Sequence, residues 1–147
     1  MKVEKLDHIH IYVKDLDKAM ARFEDLLGVK FTGPFMEFAD EWGSKGAFAP
    51  PGIDLEAPTR QDSAVAKVIE RSGEGLVGGA SFKVADIESS IAELESKGMK
   101  LLGRITMGGL KEAWFHPAGA HGVLIELCEY QGANALEASL RKTPPSQ

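Results

Sequence analysis

His8, His10 and Glu126 are the residues whose types and spacing could do chemistry in this chain. In HIHIYV, Ile9, Ile11 and Val13 alternate with His8, His10 and Tyr12, the period of two of a pleated strand. If the apolar set packs under a helix, both imidazoles point to the other face, about 6.8 Å apart along the strand. In GVLIELC the same alternation buries Val123, Ile125 and Leu127 and leaves Leu124, Glu126 and Cys128 on the opposite face. A carboxylate inside such an apolar run is costly to bury unless it is paired, protonated or bound to a cation. Imidazole and carboxylate sharing one cleft form a hard N/O donor set suited to Zn, Mn, Co, Ni or Fe. The same groups suit acid–base work, which makes Glu126 and His10 the catalytic candidates.

The remaining reactive side chains read differently. A lone strand histidine is more often a satisfied core or surface residue, so most of the weight falls on Glu126. His116 precedes Pro117 and His121 precedes Gly122, which places both in loops. Tyr12, Phe48 and Trp114 are expected in the wall of the pocket, and Cys128 is a small buried residue rather than a nucleophile. GEGLVGG lacks the Lys-Ser/Thr of a P-loop, and no GxSxG, HExxH or CxxC occurs.

The elements that must carry these groups repeat themselves. Laying residues 8–31 on residues 79–101 puts Val13 on Val84, Asp15 on Asp86 and, after a one-residue gap, Gly28 on Gly98. Each copy starts with a strand, then an Asp in N-cap position, a helical stripe and a glycine stop. The first stripe is Leu16, Ala19, Met20, Phe23, Leu26 and Leu27; the second is Ile87, Ile91 and Leu94. Three strands are expected after each helix. The pattern predicts an α+β fold of two tandem βαβββ modules forming a U-shaped mixed sheet with an open concave cleft. Residues 1–60 form the first module, 61–76 a helical linker, 77–130 the second module and 131–147 a tail. That tail is expected to hold a short helix over 133–141 and a disordered end.

Composition narrows the classes. The chain has 147 residues, 44% of them hydrophobic, and a formal charge of −5. The negative balance argues against nucleic acid or an anionic membrane as partner, and no apolar run approaches the roughly 18 residues of a membrane span. The opening MKVEKLDHIHIYV runs straight into a strand, with no signal-peptide core. One cysteine excludes an internal disulfide framework and fits a cytoplasmic setting.

LDHIHIYVKDLDKAMARFEDLLG, VADIESSIAELESKGMKLL and FHPAGAHGVLIELCEY resemble the vicinal oxygen chelate superfamily, which includes glyoxalase I, extradiol dioxygenases and bleomycin-resistance proteins. Epimerase-like members are the nearest in pattern. The resemblance implies paired modules around a divalent metal ion (Co, Mn, Ni, Zn or Fe). Its ligands fall on His8, Asp54 and Glu126. The fourth family ligand, a His in a stretch usually reading HHIAF, falls on Gly79 of GGASF and is absent, with His10 or water as the replacement. The implied activity is metal-assisted epimerisation or lysis through proton abstraction next to a carbonyl, with Glu126 as ligand and base. The implied partners are a small carbonyl substrate, CoA thioesters included, and a second copy in a homodimer. Where epimerases carry a second base, the chain reads SKGAFA, with Lys45 its only ionisable group. A sequestering protein of the bleomycin-resistance type and a glyoxalase I-like lyase are the alternatives.

Overall fold

Strand β1 (Val3–Tyr12) has the two-faced character its alternation predicts. Ile11 and Val13 pack with the first helix, while Tyr12 joins a separate cluster with Val65 and Ile69. The computed structural model describes residues 1–75 and 77–141, so the expected disordered end at 142–147 lies outside the described residues. The chain divides into two compact units, one of Ile9–Gly78 and one joining Met1–His8 to the residues from Gly79 onward.

In the Ile9–Gly78 unit, Asp15 is extended and accepts the Lys18 N–H, so helix α1 (Leu16–Leu27) begins where the sequence placed it. Gly28, with φ +67°, takes the left-handed conformation that ends the helix and donates its N–H to the Glu24 carbonyl. Strands β2 (Thr32–Phe35), β3 (Ser44–Ala49) and β4 (Ile53–Pro58) follow. The order is β2-β3-β4-β1, antiparallel except for the β4–β1 pair. Val13, Leu16, Phe31 and Leu55 pack with Ala47, Ala49 and Ala57, whose small side chains let α1 lie close to the sheet. Burying a side chain such as Leu16 or Leu55 stabilises by about 1.5–3 kcal/mol, so this seam outweighs the helix's intrinsic propensity. The stripe stops at Phe23: Leu26 and Leu27 are exposed, because the last turn of α1 runs past the sheet's apolar patch. Helix α2 (Ala64–Ser72), N-capped by Ser63, packs Val65 and Ile69 against Tyr12.

The other unit repeats the plan with β5 (Val77–Val84), α3 (Ile87–Ser96), β6 (Leu101–Met107), β7 (Leu110–Phe115) and β8 (Leu124–Glu129). Asp86 caps α3 as Asp15 caps α1. The order is β1-β5-β8-β7-β6, with β5 and β8 parallel. Two βαβββ modules therefore exist as the repeat predicted. Ile87 and Ile91 of α3 pack on Val84, Ala113, Phe115 and Leu127. Val123, expected in that core, is 44% exposed because β8 starts one residue later, after a turn. Helix α4 (Ala135–Ser139) lays Ala135 and Ala138 over Leu110, Cys128 and Tyr130. Among the described residues, no helix is long and apolar enough to cross a membrane.

Candidate functional site

His8 and Glu126 lie on either side of β5, since the strand order there is β1-β5-β8. Strands one apart are separated by about 4.8 Å, so β1 and β8 stand about 9.6 Å apart. Two side chains bridge that gap only if the strand between them carries little bulk. It does: Ser81, wholly buried, sits in register with Glu126, and Gly79 follows on the same face. His8 Nε2 and Glu126 Oε1 come within 3.2 Å, and both residues are buried. The imidazole and carboxylate paired by sequence therefore meet.

Two residues that sequence reasoning did not single out complete this array. Asp7 Oδ1 lies 2.9 Å from His8 Nδ1, and Tyr130 donates its phenolic O–H to Asp7 Oδ2. Burial pushes the Asp7 carboxyl up, but the hydrogen bonds from His8 and Tyr130 and the charge of Lys5 outweigh it and hold it below its ordinary value. Burial and the hydrogen bond to Asp7 push the Tyr130 phenol up, so it stays a donor. The Lys5 and Lys83 ammonium groups sit 5.6 and 4.7 Å from the Tyr130 ring centroid, where the ring's π face attracts them. An anionic Asp7 accepts a hydrogen bond from His8 Nδ1–H and so turns Nε2 toward Glu126. That is how a second carboxylate fixes a ligating or catalytic imidazole.

The donor pair fits a metal ion. Two atoms each about 2.1 Å from one ion at tetrahedral or octahedral angles lie about 3.0–3.4 Å apart, the spacing of His8 Nε2 and Glu126 Oε1. Gly79 cannot be made to supply a further ligand without movement. A Cβ there would stand 2.9 Å from the Leu124 carbonyl oxygen and 3.2 Å from Leu124 Cβ.

His10 and Asp54 belong to the Ile9–Gly78 unit. The parallel β1–β4 register sets His10 opposite Asp54 and Tyr12 opposite Glu56. His10 Nδ1 is 3.2 Å from both Asp54 Oδ2 and Glu56 Oε1. Glu56 was missed at the sequence level, though its position two residues after Asp54 on a strand was the signal. Tyr12 and Phe48 are buried in the Ile9–Gly78 unit and Trp114, opposite Glu126 across β7–β8, in the other. His116 and His121 are loop residues, the first capping the turn Pro117–Ala120 through its Nδ1 and the second ending it with φ +55°.

Comparison with known proteins gives a consistent picture. The family model described as Glyoxalase/Bleomycin resistance protein/Dioxygenase superfamily matches residues 7–134. The Bacillus subtilis protein YqjC is 30% identical over 136 residues, which cover 88% of this chain and 95% of that protein. The ethylmalonyl-CoA/methylmalonyl-CoA epimerase of Cereibacter sphaeroides is 28% identical over 131 residues, 85% of this chain and 97% of the enzyme. A structure of a Streptomyces coelicolor methylmalonyl-CoA epimerase variant with 2-nitronate-propionyl-CoA matches with a TM-score of 0.77 at 29% identity, covering 89% of this chain and all of that one.

Proposed function

We propose that this chain, which belongs to the glyoxalase/bleomycin resistance protein/dioxygenase superfamily, is an epimerase-type enzyme that moves the proton next to the carbonyl of a CoA thioester. Its similarity to epimerases of ethylmalonyl-CoA and methylmalonyl-CoA supports that substrate class. The observation that carries the chemistry is the buried Glu126 at 3.2 Å from an imidazole oriented by Asp7. A carboxylate in an apolar strand beside an oriented imidazole is placed to take a carbon-bound proton and hold it. Glu126 is the base on one face in this reading, and water delivers a proton to the other face of the flattened carbon, which completes the inversion. His8, its Nδ1–H donated to Asp7, holds Nε2 against the Glu126 oxygen and accepts a hydrogen bond from the carboxyl once Glu126 has taken the proton. His8 and Glu126 would also hold a divalent metal ion, which when bound supplies stabilisation of the negative charge that grows on the carbonyl oxygen.

The test is stereochemical. Single-enantiomer methylmalonyl-CoA or ethylmalonyl-CoA is incubated with the protein and its loss of optical purity followed by chiral chromatography. Inversion by the wild type and at least a hundredfold loss in Glu126→Gln are expected. A sequestering role is the second reading, favoured by the bare backbone at Gly79. Saturable binding of the thioester without inversion would support it instead.

A further inference from the structure

We propose that helix α4 is a positioning element for the reacting pair: its Ala135 and Ala138 hold the Tyr130 ring so that the phenol stays on Asp7, and Asp7 in turn keeps His8 Nδ1–H fixed and dry. The inference rests on the reading of His8 and Glu126 as that pair. Every residue it uses lies in the unit that joins Met1–His8 to the residues from Gly79 onward. The helix begins at Ala135, one residue beyond the segment that the family model matches. Its seat is built from small residues. Gly108 and Gly109 link β6 to β7, and the Gly109 N–H donates to the Ala138 carbonyl at 2.9 Å. Gly108 has φ +56°, and a Cβ there would stand 2.5, 2.7 and 2.9 Å from the carbonyl oxygens of Arg141, Ser139 and Ala138. Glycine is what lets the end of α4 come this near.

At its other end Asn134 Oδ1 accepts the Glu137 N–H and Glu137 Oε2 accepts the Ala133 N–H. A helix of five residues is too short to stand by itself, so these ties and its packing are what hold it. Ala135 and Ala138 pack in one buried cluster with Leu110, Cys128 and Tyr130. Cys128 and Glu126 are alternate residues of β8 and share a face, so α4 covers a row about 6.8 Å along the strand from Glu126. Beneath it Tyr130 is 2% exposed, and the Asp7 side chain is 2% exposed. One Asp7 oxygen is held by Tyr130 and the other by His8. Water reaching that carboxylate would compete for both, and a hydrogen bond in a dry place is stronger than one that water contests. Lifting α4 therefore loosens the imidazole without touching any member of the series.

Two full-length variants lift the helix from different sides. Ala138→Leu overfills its seat, and Gly108→Val collides with its carbonyls. Leu140→Ala, at an exposed position, is the control. Cys128 is the chain's one cysteine and is wholly buried beside Ala135 and Ala138, so its labelling rate with a small disulfide reagent reports whether α4 is seated. Solvent exchange of His8 Nδ1–H, followed by ¹⁵N NMR, reports the hold of Asp7. Circular dichroism confirms that each variant is folded. Both rates should rise at least tenfold in Ala138→Leu and Gly108→Val and stay at the wild-type value in Leu140→Ala. On a thioester that the wild type inverts, kcat should fall about tenfold in the two variants with KM within about twofold. Faster Cys128 labelling with unchanged Nδ1–H exchange would overturn the proposal, as would labelling that is no faster in either variant. A raised KM at unchanged kcat would also overturn it, because α4 would then shape binding alone. Absence of inversion by the wild type would refute the proposed reaction, while the labelling and exchange rates would still decide the role of α4.

Discussion

His8 Nε2 faces Glu126 Oε1 at 3.2 Å across a strand whose facing residues are glycine and serine. The imidazole is held from behind by Asp7, which also accepts from Tyr130, 123 residues away in sequence. Tyr130, Asp7 and His8, from the two ends of the chain, thus form one hydrogen-bonded series that ends against the Glu126 carboxylate.

Asp7→Asn breaks the series at its charged link. An amide cannot hold His8 Nδ1–H as a carboxylate does, so the ring loses its preferred tautomer. Turnover should fall about 10–100-fold with KM nearly unchanged. Steady-state kinetics on one thioester, together with the titration of His8 by NMR, reads both effects.

Tyr130→Phe keeps the ring and its two lysine neighbours but removes the donor to Asp7. A buried carboxylate that loses a hydrogen bond is destabilising by about 1–3 kcal/mol. Urea unfolding of the variant and the wild type at pH 7 measures the difference.

Gly79→His would put an imidazole where the family resemblance implies a ligand, yet it should not create one. Its Cβ meets backbone and side chain of Leu124, so the variant should be destabilised by about 1–3 kcal/mol with no gain in metal affinity. Thermal unfolding with and without added Mn²⁺ checks both parts.

Glu129 ties α3 to β8 by accepting the Ile87 N–H at 2.8 Å and the Lys111 ammonium at 2.8 Å. Burial pushes its carboxyl up, but the Lys111 and Ile87 hydrogen bonds outweigh this and hold it below the ordinary glutamate value. A carboxyl whose folded pKa is depressed stabilises fully above its unfolded pKa, and that contribution fades as pH falls through the folded value. Glu129→Gln should therefore cost about 1–2 kcal/mol at pH 7, and the gap to wild type should close below about pH 4. Urea midpoints across pH 3–7 follow it.

The site was partly legible because strand alternation is a strong code. It put His8 and Glu126 on facing surfaces, and the isolated charge in GVLIELC marked Glu126 as a residue with a purpose. Asp15 and Asp86 were readable as caps because their side chains act within three residues of themselves. Asp7 was hidden by the same code, since alternation assigns it to the face opposite His8 while its short side chain still reaches the neighbouring Nδ1. Tyr130 depends on register between distant segments, which a single sequence does not print, whereas Glu56 was open to the same alternation, two residues after Asp54. Val123 was misplaced because alternation cannot say where a strand begins.

The most direct test of the central claim is deuterium wash-in at the carbon next to the thioester carbonyl, followed by mass spectrometry in D₂O for wild type, His8→Ala and Glu126→Gln. Wild-type protein should exchange that proton well above the buffer rate, with losses of at least a hundredfold in both variants. Exchange at wild-type rate in both variants would contradict the assignment of this pair, and no exchange in the metal-supplemented wild type would contradict the reaction itself.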